Sequence, residues 1–203
     1  MRIALLLEGR TEMAFLPYLR CFLENRLKNM MPKLDPVPYN GRIPTGDKLR
    51  RVVEKLLSDG VKSANAVIAL TDVYTGTGEF SDAADARTKM QEWVGNNPRF
   101  YPHVAQFDFE AWLLPFWEDI QKLAGSNRSA PSARPELVNH MRPPSYHLQE
   151  VFRTGSYNKR YIKPRDANRI LKDKDPLVIA TACPQFKAFV NTILMLCGGP
   201  VIL

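Results

Sequence analysis

Residues 3–12 read IALLLEGRTE, an apolar run that ends abruptly in a carboxylate, a glycine and the start of a helix. Five apolar residues in a row, with no polar alternation, fit a strand buried on both faces, as in a parallel sheet covered by helices. A carboxylate at the tip of such a strand is costly wherever the tip is buried. Glu8 therefore either marks an exposed end or stands where an anionic oxygen is needed. Gly9 would let a backbone or a ligand approach it closely, or simply makes the tight turn. Thr11 has N-cap chemistry, and residues 12–30 carry apolar side chains at helical spacing. Pro17 is expected to kink that helix or to mark a late start.

The same alternation continues outward. Residues 33–39, KLDPVPY, read as a weak strand whose prolines confine it to a sheet edge. Residues 47–60 are an amphipathic helix with Asp47 near its start and Gly60 as a stop, and 65–74, NAVIALTDVY, are a second buried strand. A turn-rich loop leads to a helix over 82–96, a third buried strand over 100–109 and a helix over 110–125. Strand and helix in alternation predict an α/β fold, a mostly parallel, Rossmann-like sheet flanked by helices. Beyond the Ser- and Pro-rich break at 125–135, short helices are expected at 134–141, 145–152, 164–172, 175–182 and 184–198. The final PVIL is the only strand candidate there. The expected organisation is an α/β core over 1–125 and a helical, basic C-terminal extension over 126–203, packed on the core.

Four acids follow the three buried strands: Glu8 the first, Asp72 the second, Asp108 and Glu110 the third. Parallel strands end on one edge, and open α/β sheets bind ligands at that edge. Carboxylates brought together there repel one another and raise each other's pKa unless a cation joins them. An all-oxygen donor set, with no cysteine and no suitably spaced histidine, favours Mg²⁺ or Mn²⁺ over zinc. Such an ion activates water and stabilises a phosphodiester transition state. The plain alternative is that each acid caps the helix that follows it. Glu12 either complements the helix dipole or supports the other acids from behind.

Composition limits the function classes. At 203 residues and 45% hydrophobic, the chain suits one domain of ordinary size. Its apolar runs are too short to span a bilayer, so no membrane partner is expected, and no signal peptide is visible. Three cysteines without a CxxC pair suggest neither zinc nor disulfides, and a reducing cytoplasm is the natural compartment. A net charge of +7 favours polyanions, either nucleic acid or an acidic protein surface. Between residues 121 and 175, twelve Lys or Arg face five acids. The densest part, SYNKRYIKPRDANR (156–169), offers Tyr157, Lys159, Arg160, Lys163 and Arg165 to a phosphodiester backbone, or is a solvated face. Lys159 is the expected cation over the acids. Arg42 and Lys48 sit in a glycine-punctuated loop that cradles a phosphate or merely connects; it is not a Walker A pattern. His103 reads as a core or edge residue, and His140 and His147 carry no role. Trp112, Leu113, Phe116 and Trp117 read as core, and Cys183 as a small hydrophobe.

The segments LLLEGRTEMAFL (5–16), VIALTDVY (67–74), QFDFEAWLL (106–114), YNKRYIKPRDANRI (157–170) and CPQFKAFV (183–190) together resemble a small bacterial TOPRIM-like family catalogued as a domain of unknown function. The resemblance runs over nearly the whole chain. It implies a TOPRIM fold, with Glu8 as the first acid, Asp72 as the aspartate of the second motif, and Asp108 and Glu110 as the third. Tyr157 and Lys159 match its Y-x-K. Proteins of that fold hold Mg²⁺ with such acids while cutting or joining phosphodiesters. Those in antiphage defence are often encoded beside an ABC- or AAA-type ATPase. Three departures stand out: Tyr74 replaces a second aspartate, Phe107 replaces a histidine, and the phrase after the second motif is shortened.

The expected function is therefore a Mg²⁺-dependent nuclease acting on DNA or RNA, working with an ATPase in antiphage defence. Glu8 would be the general acid or base, Asp72 and Lys159 would be the other catalytic groups, and Glu8, Asp72, Asp108 and Glu110 would be the metal ligands. The chain is also compatible with an oligomer. The alternative is a catalytically degenerate TOPRIM-derived subunit that binds or regulates, a reading the missing second aspartate supports. A phosphotransfer enzyme is disfavoured by the absence of a P-loop or dinucleotide fingerprint.

Overall fold

The computed structural model describes residues 1–39, 41–73, 78–131, 134–138 and 142–203; Tyr74 and His140 lie outside them. Four strands form one all-parallel sheet in the order β2-β1-β3-β4: β1 Arg2–Leu7, β2 Lys33–Pro38, β3 Ala66–Asp72 and β4 Phe100–Ala105. Leu5 pairs with Pro36 on one side and Ile68 on the other, and Asp72 pairs with Ala105. The proline-bearing β2 is an edge strand, as its missing N–H donors require.

Period-two geometry sorts the apolar runs onto two faces. Ile3, Leu5, Leu7, Ile68 and Leu70 join one core cluster with helix α1 (Arg10–Leu27) and the C-terminal helices. Ala4, Leu6, Val67, Ala69 and Val104 join the other, against α2 (Gly46–Ser58) and α3 (Ala83–Trp93). A strand buried on both faces has no room for alternation, which is why IALLL reads as it does. Burying each of these Leu or Ile side chains stabilises by roughly 1.5–3 kcal/mol. Among the described residues, no helix is long and apolar enough to cross a membrane.

Several local expectations are corrected. Gly9, not Thr11, occupies the N-cap of α1, and no side chain bonds there. The helix runs from Arg10 through Pro17 to Leu27, and Thr11 is buried within it. The segment expected as one helix over 110–125 is a 3₁₀ stretch, Phe109–Phe116, followed by α4, Trp117–Ala124. Pro115 lacks the N–H an α-helix would need at that point. Of the helix expected over 134–141, the described part is a single 3₁₀ turn, Pro135–Leu137. The last residues are not a strand: Ile202 is pinned through its N–H and C=O to the Asn191 side chain. The other C-terminal helices are α5 Pro144–Thr154, α6 Lys163–Leu171, α7 Pro176–Ala182 and α8 Pro184–Leu196.

One buried carboxylate ties this layer together. Glu136, 5% exposed, accepts from the Trp112 indole N–H at 3.0 Å and from the backbone N–H groups of Gln185 (2.9 Å) and Phe186 (3.4 Å). It thus caps α8 from another segment while anchoring the largest aromatic side chain of the core. Glu136→Ala leaves three donors unmatched, two of them buried, and is expected to cost about 2–3 kcal/mol, read as a lower denaturation midpoint; Glu136→Gln, which keeps an acceptor oxygen, should recover much of it.

Candidate active site

The chain leaves β1 to one side for β2, then returns to the other side for β3 and β4. The reversal lies between β1 and β3, where the crevice of an open parallel sheet forms. Glu8 follows β1 and Asp72 ends β3, so both acids stand at that switch point. Their contact is direct: Glu8 Oε2 accepts from Thr71 Oγ1 at 2.7 Å and from the Asp72 backbone N–H at 2.6 Å.

The third pair arrives differently from the sequence reading. β4 stops at Ala105, and the chain turns through Phe107, whose φ of +69° is rare for a bulky residue. That turn carries Asp108 to the start of the 3₁₀ segment, where Asp108 and Glu110 are buried at 4% and 0% exposure. Asp108 Oδ2 accepts from the Ser145 N–H at the start of α5 (3.1 Å), and its Oδ1 is buried with no hydrogen-bond partner among the described residues. Glu110 accepts from the Tyr161 hydroxyl at 3.3 Å and from Lys163 Nζ at 3.1 Å.

Glu12 belongs to the same group. It is 5% exposed, and a Cβ built on Gly9 would meet its Oε2 at 3.1 Å. Gly9 is thus the space that Glu12 occupies, one helical turn on. The Glu8–Glu12 spacing was the available signal, but it reads equally well as a dipole contact.

The electrostatics follow from crowding. Burial, then neighbouring Glu12, Glu8, Asp108 and Glu110, raise Asp72 well above the ordinary carboxylate value. Burial raises Glu8 against the pull of the Thr71 and Asp72 hydrogen bonds, and raises Asp108 against Ser145 and Lys163. Burial and adjacent carboxylates push Glu12 and Glu110 from 4.5 to about 7. Burial works against the Lys163 charge, yet Glu110, Asp108 and Asp72 hold its pKa above the usual value.

A stability prediction follows for metal-free buffer. Between pH 4.5 and 7 the folded chain holds protons on Glu12 and Glu110 that the unfolded chain has released. Unfolding free energy therefore falls as pH rises. The contribution of these two groups is complete below 4.5 and lost as pH passes through 7. In EDTA the thermal midpoint should drop between pH 5 and pH 8, and Glu12→Gln should flatten the drop.

The basic residues divide. Lys163 stands among the acids; Lys159, expected in that role, instead places its Nζ 4.4 Å from the Tyr157 ring centre. Its direction depends on the turn from Gly155 to Asn158, which spacing alone does not reveal. Arg42 pairs with Glu79, lies 5.9 Å from the Phe80 ring and pulls the Glu8 pKa downward, so it borders the site. Arg165 is taken up by Asp166, at 2.9 and 3.0 Å. Lys48 and Arg160 are exposed, and Tyr157 is 55% exposed. His103 is buried, 3.0 Å from the Thr192 hydroxyl, with its pKa pushed down to about 4 by burial.

The donor set suits a hard divalent ion, being carboxylate oxygens with one buried oxygen unmatched. As the side chains stand, Glu8, Asp108 and Glu110 each commit an oxygen to a protein partner. Among the described residues, no three His, Cys, Asp or Glu side chains are placed to hold one ion together.

No curated protein matches the chain. Among solved structures, the C-terminal region of the Burkholderia pseudomallei OLD protein superposes with a TM-score of 0.51 at 13% identity, over 97% of this chain and 98% of that one. The C-terminal region of the Xanthomonas campestris pv. campestris OLD protein gives 0.46 at 13% identity, over 96% and 94%. The α/β fold is thus similar to that of an OLD C-terminal region. Residues 7–194 match the family model described as Domain of unknown function (DUF4276), and the chain belongs to that family.

Proposed function

We propose that this chain is a Mg²⁺- or Mn²⁺-dependent nuclease of TOPRIM type that cleaves DNA or RNA phosphodiesters. The observation that carries the reading is the meeting of Glu8, Glu12, Asp72, Asp108 and Glu110 with Lys163 at the switch point of a parallel sheet. Asp72, Asp108 and Glu110, with Glu8, would hold the ion, and Asp108 Oδ1, unmatched among the described residues, is a ready donor. The ion would activate water and offset charge developing on the phosphodiester.

The protein groups have separate tasks. Glu8 Oε2 is fixed by Thr71 and Asp72, which leaves Oε1 to take or give a proton, and burial raises its pKa above the ordinary carboxylate value, so it holds a proton more readily than a solvated glutamate. Lys163 sets a positive charge beside the acids, where it would stabilise the extra negative charge of the transition state. This role passes from Lys159 to Lys163.

The cellular setting we assign is bacterial antiphage defence in the cytoplasm, beside an ABC- or AAA-type ATPase. The family resemblance supports it, and the free thiols of Cys21, Cys183 and Cys197 fit a reducing compartment. The test is cleavage of plasmid, single-stranded DNA and tRNA with Mg²⁺ or Mn²⁺, with and without the neighbouring ATPase. A second reading, a degenerate binding or regulatory subunit, draws on the ion pair between Lys163 and Glu110 and on the absence of a preset ion site among the described residues. No cleavage of any substrate under any of these conditions would select it.

A further inference from the structure

Beside the acids a cleft of about 810 Å³ lies between the C-terminal half of α5 and the start of α6. Arg153, Lys159, Arg160 and Lys163 line it; Glu150 is the single acid among its described lining residues. That carboxylate already accepts two bonds from Arg153, at 3.0 and 2.9 Å. The cations therefore converge on a concavity rather than scatter over a solvated face.

The cleft shares a wall with the acid cluster. Lys163 and Tyr161 line it, and both donate to Glu110. Its backbone is held in place. The Ser156 N–H and hydroxyl both donate to Gly125 O, at 2.7 and 2.9 Å, and the Lys159 N–H donates to Phe152 O at 3.1 Å. Gly155 permits this: a Cβ there would meet Ala124 O at 2.1 Å. Next to it in sequence, Tyr157 presents an exposed ring with Lys159 against it.

We propose that this cleft takes the sugar-phosphate backbone of a single-stranded nucleic acid and leads it to the acid cluster, an inference that rests on the phosphodiester reading of that cluster. Single-strand grooves pair a track of cations with aromatic rings on which unpaired bases stack. Here the cations and the exposed Tyr157 lie within a few residues of each other. A duplex keeps its bases stacked inside and would leave Tyr157 without a partner.

The test is fluorescence anisotropy of the full chain in EDTA, with a labelled oligonucleotide of about 12 nucleotides, single-stranded or duplex. We expect the single strand to bind about tenfold tighter than the duplex. Arg153→Ala with Arg160→Ala should weaken it by about tenfold and reduce the salt slope by about 1.4, two phosphates' worth. Tyr157→Ala should weaken it by about fivefold or more. Lys62→Ala, before β3 at the opposite sheet edge, should change nothing. Equal or tighter duplex binding, or an unchanged double variant, overturns the proposal. Cleft-dependent binding without cleavage by the native chain removes the nuclease reading and leaves the cleft. Cleavage that needs Glu8 but ignores the double variant removes the cleft and leaves the nuclease.

Discussion

Glu8→Gln and Asp72→Asn should each lower divalent-dependent cleavage by about 10³-fold while leaving the protein as stable as before, or more so, at pH 8. The loss comes from removing a proton-transfer group in one case and an ion ligand in the other. The gain has a separate origin. Asp72 is held well above its ordinary pKa by burial and by four neighbouring carboxylates, so its ionised form opposes folding. Asparagine removes that repulsion and keeps the shape. Glutamine at position 8 keeps an oxygen for Thr71 and the Asp72 N–H, so the β1–β3 edge stays joined. A structural carboxylate behaves in the opposite way, as Glu136 should: its loss lowers stability and touches cleavage only through folding. Initial rates with Mg²⁺ and thermal midpoints, measured on the same preparations, separate the two. Undiminished cleavage in both variants would remove the phosphodiester reading.

How legible this was in the sequence depends on the length scale of each signal. Burial on both faces is a strong demand, and it wrote IALLL and AVIAL directly into the chain. Parallel pairing then put Glu8 and Asp72 on one edge with no further information. Glu12 was harder, because a glutamate in the first helical turn looks the same whether it faces solvent or four other acids. Only its burial beside Glu8 and Glu110, which is tertiary, distinguishes the cases. The segment after β4 misled for a local reason: its apolar spacing suits a helix, but Pro115 breaks it and Phe107 turns it. Five cations lie in the 156–169 stretch, and spacing alone pointed to Lys159 as the partner of the acids. The choice among them was made by the Gly155 contact with Ala124 and by the start of α6, both invisible to spacing.

That choice carries the second large effect. Lys163→Ala should reduce kcat by about 10²–10³-fold, whereas Lys159→Ala should raise KM and leave kcat within about threefold. Lys163 Nζ touches Glu110 and interacts with Asp108 and Asp72, while Lys159 leans on Tyr157. Stability adds an independent readout with a definite sign. Lys163 favours the ionised form of Glu110, so its removal raises the Glu110 pKa beyond about 7 and leaves a buried carboxylate without its cation. At pH 5 Glu110 is protonated with or without the lysine, and little changes. At pH 8 the native chain has an ion pair and the variant does not, so the midpoint difference between them should widen as pH rises. Lys163→Arg restores the charge, and with it most of the pH 8 stability, but its planar fork replaces a compact ammonium beside the acids, so kcat should recover only in part. If Lys163→Ala turns over substrate at the native kcat while losing stability at pH 8, the lysine is a counter-ion for a crowded site and the transition-state cation must come from elsewhere, with Arg42, which already pulls on Glu8, the next residue to replace.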